Sequence, residues 1–232
     1  MAWMMLRQGI VKRAIVIGVE LPLIPEVLQT YERTGVLATG SINDPYSPDA
    51  GGFFPGEAGA AVVLEASQPQ SKSQSDVTMT GYWCNSDADS PIGMPPDGAG
   101  LRECLTKAIG DLSDEPEIAA VCPHASGTLL HGKAELAALS AALPKDCPVS
   151  LHPLKPFTGH TVGASGVLDC AILTHYIRKG ELPPNLPGNT CPGAPFSMTP
   201  NNLSSAGSTV LKIAVGMGGH NSIISLRSPA MS

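Results

Sequence analysis

The segment Lys155-Pro-Phe-Thr-Gly-His160-Thr-Val-Gly-Ala-Ser-Gly166 sets a lysine and a histidine five residues apart, just ahead of a run of small residues. That run predicts a helix start, and Val167-Leu-Asp-Cys-Ala-Ile-Leu173 continues in helical, mostly apolar style. A histidine entering a helix lies near exposed N–H groups and a positive dipole end, which disfavour its protonated form. The neutral imidazole can donate a hydrogen bond to an oxygen that is gaining negative charge. A second histidine has a comparable setting, in Pro123-His124-Ala-Ser-Gly-Thr128 directly after the apolar stretch Ile118-Ala-Ala-Val-Cys122. Loops at strand ends are where α/β proteins place reacting groups. Alone, each histidine reads best as a satisfied turn residue. Two of them, each after a buried strand and before a helix, read best as a catalytic pair.

Other chemistry ranks below this pair. Val215-Gly-Met217-Gly218-Gly-His220-Asn221 is a glycine-dense turn that either aims backbone N–H groups at a ligand or simply closes a hairpin. No Lys-Ser/Thr pair or helix follows it, which argues against a phosphate loop, and His220 ranks as structural. There is no HExxH and no Cys/His pair at ligand spacing, so neither a metal nor a cofactor is expected. Asp49 and Glu57 flank Gly51-Gly-Phe-Phe-Pro-Gly56, a setting that suits loop shaping more than acid catalysis.

The elements that must position these groups alternate between strand and helix. Strands are predicted at 13–20, 58–65, 77–84, 118–122, 148–151, 209–215 and 221–226. Helices are predicted at 23–33, 100–112, 133–143 and from about 163 to 178. The pattern is that of an α/β fold with buried sheets. Residues 68–76, rich in Ser and Gln, form the best linker, dividing 1–67 from 77–232. The opening Met1-Ala-Trp-Met-Met-Leu lacks a helix N-cap and reads as the middle of a helix, so Met1 is not expected to be a natural domain start.

Composition excludes several function classes. The 232 residues carry a net charge of −6 with no basic run, and only 4% are aromatic, which weighs against nucleic acid. No apolar run reaches membrane-spanning length and no signal peptide is evident, so a cytoplasmic location is expected. The six cysteines form no CxxC pair and read as free, buried thiols.

These blocks, in this order, resemble the β-ketoacyl-acyl carrier protein synthases of the thiolase fold. His124-Ala-Ser-Gly-Thr128, running on to Glu135, is similar to that family's first histidine motif. The Lys155 to Gly166 block is similar to its lysine and second histidine motif and is the most specific match. Asp49 to Ala60 resembles the block before the last strand of the family's first half, and Val215 to Asn221 resembles its C-terminal gate. Asp169 stands where many members carry glutamate, Met217 where the gating phenylalanine is usual, and Gly132 where an aspartate is usual.

The resemblance implies a thiolase-like layered fold (α-β-α-β-α) with an incomplete first half, 1–67, joined to a C-terminal half, 77–232. It implies decarboxylative condensation of a malonyl thioester with an acyl thioester, delivered by acyl carrier protein or CoA, in fatty acid or polyketide biosynthesis. His124, His160 and Lys155 would be the catalytic set, with Lys155 tuned through an acidic side chain such as Glu135. Thr128, Glu135, Thr158, Asp169, Met217 and Gly218 would support the site. The family's cysteine nucleophile matches none of the six cysteines, and its segment is expected upstream of Met1. A homodimer, or a heterodimer with a full-length synthase, is implied. The alternatives are a non-catalytic chain-length-factor-like subunit or a thioester-binding module.

Overall fold

A computed structural model describes residues 1–41, 43–66, 77–143 and 149–229. The linker expected at 68–76 and Cys147 lie outside the described residues. The chain runs α1 (Ala2–Arg7), β1 (Arg13–Glu20), α2 (Pro25–Thr34), β2 (Ala58–Glu65), β3 (Thr78–Ser86), α3 (Ala99–Asp111), β4 (Ile118–Cys122) and α4 (Leu129–Ala142). It continues through β5 (Ser150–Leu151), α5 (Lys155–Thr158), a 3₁₀ turn at 162–164, α6 (Ser165–Arg178), β6 (Glu181–Leu182), β7 (Leu203–Ser204), β8 (Thr209–Gly216) and β9 (His220–Arg227).

The main sheet has five strands in the order β3-β9-β8-β4-β5. The hairpin half, β3, β9 and β8, is antiparallel, whereas β4 lies parallel to both β8 and β5. Side chains alternate across a strand, so β8 serves two cores at once. Leu211, Ile213 and Val215 join Leu101, Leu105 and Leu139 of α3 and α4. On the opposite face Val210 joins Leu173 and Ile177 of α6. That alternation places Lys212, 3% exposed, on the α6 side.

The antiparallel ribbon β1-β2 covers the far side of α6. Gly18 makes that approach possible, because a Cβ there would lie 3.1 Å from Val167 and 3.2 Å from Ala164. The layers therefore run α3/α4, sheet, α6, ribbon, with α1 against the ribbon. The ribbon's outer face carries Ile15, Ile17, Val19 and Val63, all exposed.

Three boundaries differ from the sequence reading. Helix α4 starts at Leu129, four residues before the expected Lys133. Gly132 looks like a breaker, but it sits inside the helix because a Cβ there would come within 2.9 Å of the Pro45 carbonyl oxygen. The stretch 155–158, expected as loop, forms one helical turn closed by Thr158 and Gly159 N–H bonds to Leu154 and Lys155. The long helix begins with a 3₁₀ turn before Ser165.

Candidate active site

His124 stands two residues beyond β4, and the turn after it is held by one carboxylate. Ala125 has φ +46°, a region that costs a residue with a Cβ on the order of 1 kcal/mol. Glu135, the seventh residue of α4 and 1% exposed, over-determines the turn. Its Oε1 accepts from the His124 N–H at 2.6 Å, and its Oε2 accepts from the Ala125 N–H at 2.9 Å and the Tyr46 hydroxyl at 3.0 Å. Hydrogen bonds from backbone N–H to an ionised acceptor are among the stronger ones in proteins. The Thr128 hydroxyl lies 3.3 Å from Ser126 Oγ, and Thr128 occupies the N-cap position of α4.

His160 is positioned by the main chain. Its N–H donates to Phe54 O at 2.7 Å, and its carbonyl accepts from Gly56 N at 3.1 Å. The 51–56 loop thus runs between the two histidine turns, with Gly52 N donating to Gly127 O at 3.2 Å. The glycines are required by space: a Cβ on Gly56 would lie 2.4 Å from Thr158 O, and one on Gly127 would lie 2.6 Å from Gly52 O. Thr158 closes the same corner by donating its hydroxyl to Gly159 O at 2.9 Å. Phe53 packs edge-on against the His160 ring, centroids 5.0 Å apart. This loop therefore shapes the site, and Glu57 faces away to accept from Leu23 N.

The His160 ring has a defined tautomer. Its Nδ1 accepts from the Val162 N–H at 3.2 Å, with Ser165 Oγ also at 3.2 Å, so a neutral ring carries its proton on Nε2. Val162 adopts φ +40°, so a strained residue follows each histidine. The two rings meet edge-to-face with centroids 5.3 Å apart. Both are held neutral. Burial and then the Lys155 charge depress His124 well below the usual imidazole value and take His160 to about 3. Burial dominates here, whereas the sequence reading invoked the helix end.

Beneath the histidines lies a buried charge cluster. Lys155 Nζ donates to His124 O at 2.5 Å and stands 3.8 Å from Asp169 Oδ2. Lys212 Nζ meets the same Asp169 oxygen at 2.7 Å and donates to Ile213 O at 2.6 Å. Burial would raise Asp169, but Lys212 and Lys155 outweigh it and hold the carboxyl below the usual carboxylate range. Glu135 acts on Lys155 as expected, but Asp169 acts more strongly, because Glu135 turns its oxygens under the His124 backbone.

A cleft of about 270 Å³ opens over this arrangement, lined by Asn43, Phe53, Ala125, Gly127, Lys155 and His160 among others. His124, 6% exposed, sits behind His160. Met217 is exposed at the tip of the β8-β9 turn, and Gly218 N donates to Pro91 O, so neither lines this cleft. Among the described residues no cysteine lines it either. Cys122 is buried and its thiol is pushed up to about 12, mainly by burial, whereas Cys84 is exposed, contrary to expectation.

Lys212, Tyr46 and Ser165 escaped the sequence reading. Lys212 had a signal, since a lysine inside Val210-Leu-Lys-Ile-Ala-Val215 must be buried with its strand and so needs a partner. Tyr46 had none.

The sequence profile of the β-ketoacyl synthase C-terminal domain matches residues 77–189, and that of the N-terminal domain matches 1–70. The chain belongs to the β-ketoacyl synthase family, whose members act in fatty acid and polyketide synthesis. It is 34% identical over 186 residues to compactin diketide synthase of Penicillium citrinum, covering 78% of this chain and 7% of that protein. It is 30% identical over 174 residues to the 3-oxoacyl-[acyl-carrier-protein] synthase homolog of Saccharomyces cerevisiae, covering 72% of this chain and 39% of that one.

Among solved structures, a type II polyketide synthase acyl carrier protein in complex with its ketosynthase superposes with a TM-score of 0.85 at 24% identity. That match covers 100% of this chain and 59% of the other. The ketosynthase from module 6 of the Bacillus subtilis bacillaene synthase gives 0.83 at 22% identity, covering 98% and 44%. These likenesses establish the thiolase-like fold. The chain spans less than two thirds of the length of each protein named here.

Proposed function

We propose that this chain forms the malonyl-decarboxylating part of a β-ketoacyl synthase site, with His124 and His160 as catalytic residues and Lys155 as their electrostatic support. The observation that carries the reading is the pair of neutral imidazoles in edge contact, with His160 lining the cleft and His124 next to it. In the proposed geometry one oxygen accepts from a nitrogen of each ring. In the proposed step a malonyl thioester loses CO2. The electrons of the broken C–C bond form an enolate, whose oxygen takes the charge. His160 Nε2–H and the His124 ring donate to that oxygen, and the bonds strengthen as charge grows, so they favour the transition state over bound substrate. The enolate carbon then attacks an acyl thioester or, with none available, takes a proton from water to leave an acetyl thioester.

The acyl group would be carried by the family's cysteine, on a segment that none of the six cysteines here represents. Acyl carrier protein or a CoA thioester would deliver the malonyl unit. In this reading residues 1–67 belong to an N-terminal thiolase-like half and 77–232 to the C-terminal half. The exposed Ile15, Ile17, Val19 and Val63 favour a dimer or a full-length synthase partner covering the ribbon. Among the described residues, no helix is long and apolar enough to cross a membrane, and no group of three or more His, Cys, Asp or Glu is placed to hold a metal ion.

Conversion of malonyl- to acetyl-carrier protein by the purified chain tests the proposal without any acylated cysteine. His160→Ala should cut the rate by about 10²–10³-fold, the usual cost of one lost oxyanion donor. Equal rates in the parent chain, His124→Ala and His160→Ala would overturn it.

A further inference from the structure

Lys212 is a lysine in the interior of β8, in contact with both the carboxylate behind the histidines and the chain that leads to them. Its ammonium group holds Asp169 Oδ2 at 2.7 Å and Ile213 O at 2.6 Å, and it reaches Pro123 O, next to His124, at 3.5 Å. Lys155 donates to the following carbonyl, His124 O, at 2.5 Å. Two cations from different elements, β8 and α5, therefore grip successive carbonyls of the His124 turn. They also compete for one carboxylate oxygen, and Lys212 is closer by 1.1 Å (3.8 against 2.7).

We propose that Lys212 is a positioning residue for the reaction. By holding Asp169 to β8 it keeps that carboxylate away from Lys155, and so decides how firmly Lys155 retains its charge beneath His124. This role rests on the decarboxylation reading above. The groups facing Lys155 are Lys212 from β8, Asp169 from α6, Cys122 from β4, Glu135 from α4, and the two histidine turns. Burial and Lys212 weaken its hold on the proton, Asp169 opposes them, and the balance leaves Lys155 at about 8. Burial also disfavours charge on Lys212, but the close Asp169 outweighs it and raises Lys212 above the ordinary lysine value. One lysine is thereby a fixed cation and the other a cation that titrates near neutrality. Above its midpoint Lys155 loses the charge that assists the enolate, which gives the site an alkaline limit.

The ε-methylene resonances of lysine in the 13C-labelled chain report this directly, with Lys155→Arg as the assignment control. In the parent chain the Lys155 signal should titrate near pH 8, and Lys212 should not titrate below pH 11. In Lys212→Met, Asp169 is free to pair with Lys155 and the like charge is gone, so the midpoint should rise by at least one pH unit. Lys212→Arg should return it to within half a unit of the parent. The alkaline limb of malonyl-carrier protein decarboxylation should move with it. A purely structural lysine would lower the rate at every pH and leave the midpoint in place.

An unmoved midpoint in a folded Lys212→Met variant overturns the proposal. A parent chain with no lysine titrating between pH 7 and 9 overturns it as well, even if the methionine variant fails to fold. The titration needs no turnover. A chain that decarboxylates nothing defeats the functional reading, while the resonances still decide whether Lys212 governs Lys155.

Discussion

The turn at His124 is held by buried charge, and the turn at His160 is held by neutral main-chain bonds. Around His124, Glu135 takes two N–H groups and Lys155 and Lys212 approach successive carbonyls, all from side chains of the C-terminal elements α4, α5 and β8. Around His160, the bonds come from Phe54 and Gly56 of a loop that belongs to the N-terminal part of the chain, and the ring is oriented by its own Val162 N–H. A charged clamp is strong but must be complete, because removing one partner strands the rest in a low-dielectric interior. A main-chain clamp tolerates side-chain change but not the small volumes its glycines leave open. The two imidazoles converge only when both devices hold.

Acid should break both clamps at once, with the largest effect. The folded state keeps His124 and His160 below their ordinary values, so the unfolded chain binds more protons between the folded value, about 3 for His160, and about 6.5. Stability therefore falls as pH drops from about 6.5, approaching about 1.4 kcal/mol per pH unit for each histidine. Urea titrations from pH 7 to pH 4 should show this slope, and His124→Asn and His160→Asn should each flatten it. An unchanged slope in both variants would place the acid sensitivity elsewhere.

Glu135→Ala should break the charged clamp alone. It strips two buried N–H groups and the Tyr46 hydroxyl of their acceptor and leaves Ala125 strained, at a cost of about 3–5 kcal/mol. Glu135→Gln, which retains one carbonyl acceptor, should lose less. Denaturant midpoints measured at constant slope check the order.

Gly56→Ala should break the main-chain clamp alone. The added Cβ would meet Thr158 O at 2.4 Å, and relief of that overlap should cost about 1–3 kcal/mol. The imidazole resonances of His160 should shift while those of His124 stay in place. Movement of both would show that the two turns are one mechanical unit.

Much of this architecture was legible in local pattern. The alternating or continuous apolar runs located β1, β2, β4, β8 and β9, because burial of a strand face leaves a period of two and burial of both faces leaves none. The helices α3 and α6 were equally visible. The start of α4 was placed four residues late, and Gly132 within that first stretch answers to a carbonyl from residue 45, distant in sequence. The two-residue strand β5 fell within the expected 148–151, whereas the single turn α5 was misread because so few residues carry no periodicity. Lys212 carried a signal that went unread, a lysine inside an apolar strand.

The residue types and their order thus determined, with no coordinates, that two histidines lie on loops at the edge of an α/β core, with a lysine five residues before the second. That information is local, because secondary structure and turn chemistry are set by neighbours a few positions away. Only the tertiary structure decided that the two rings stand 5.3 Å apart, that Asp169 acts on Lys155 more strongly than Glu135, and that Lys212 shares that carboxylate. Those outcomes depend on which carboxylate wins among several within reach in a dry interior. There, differences of about 1 Å between groups far apart in sequence choose the partner.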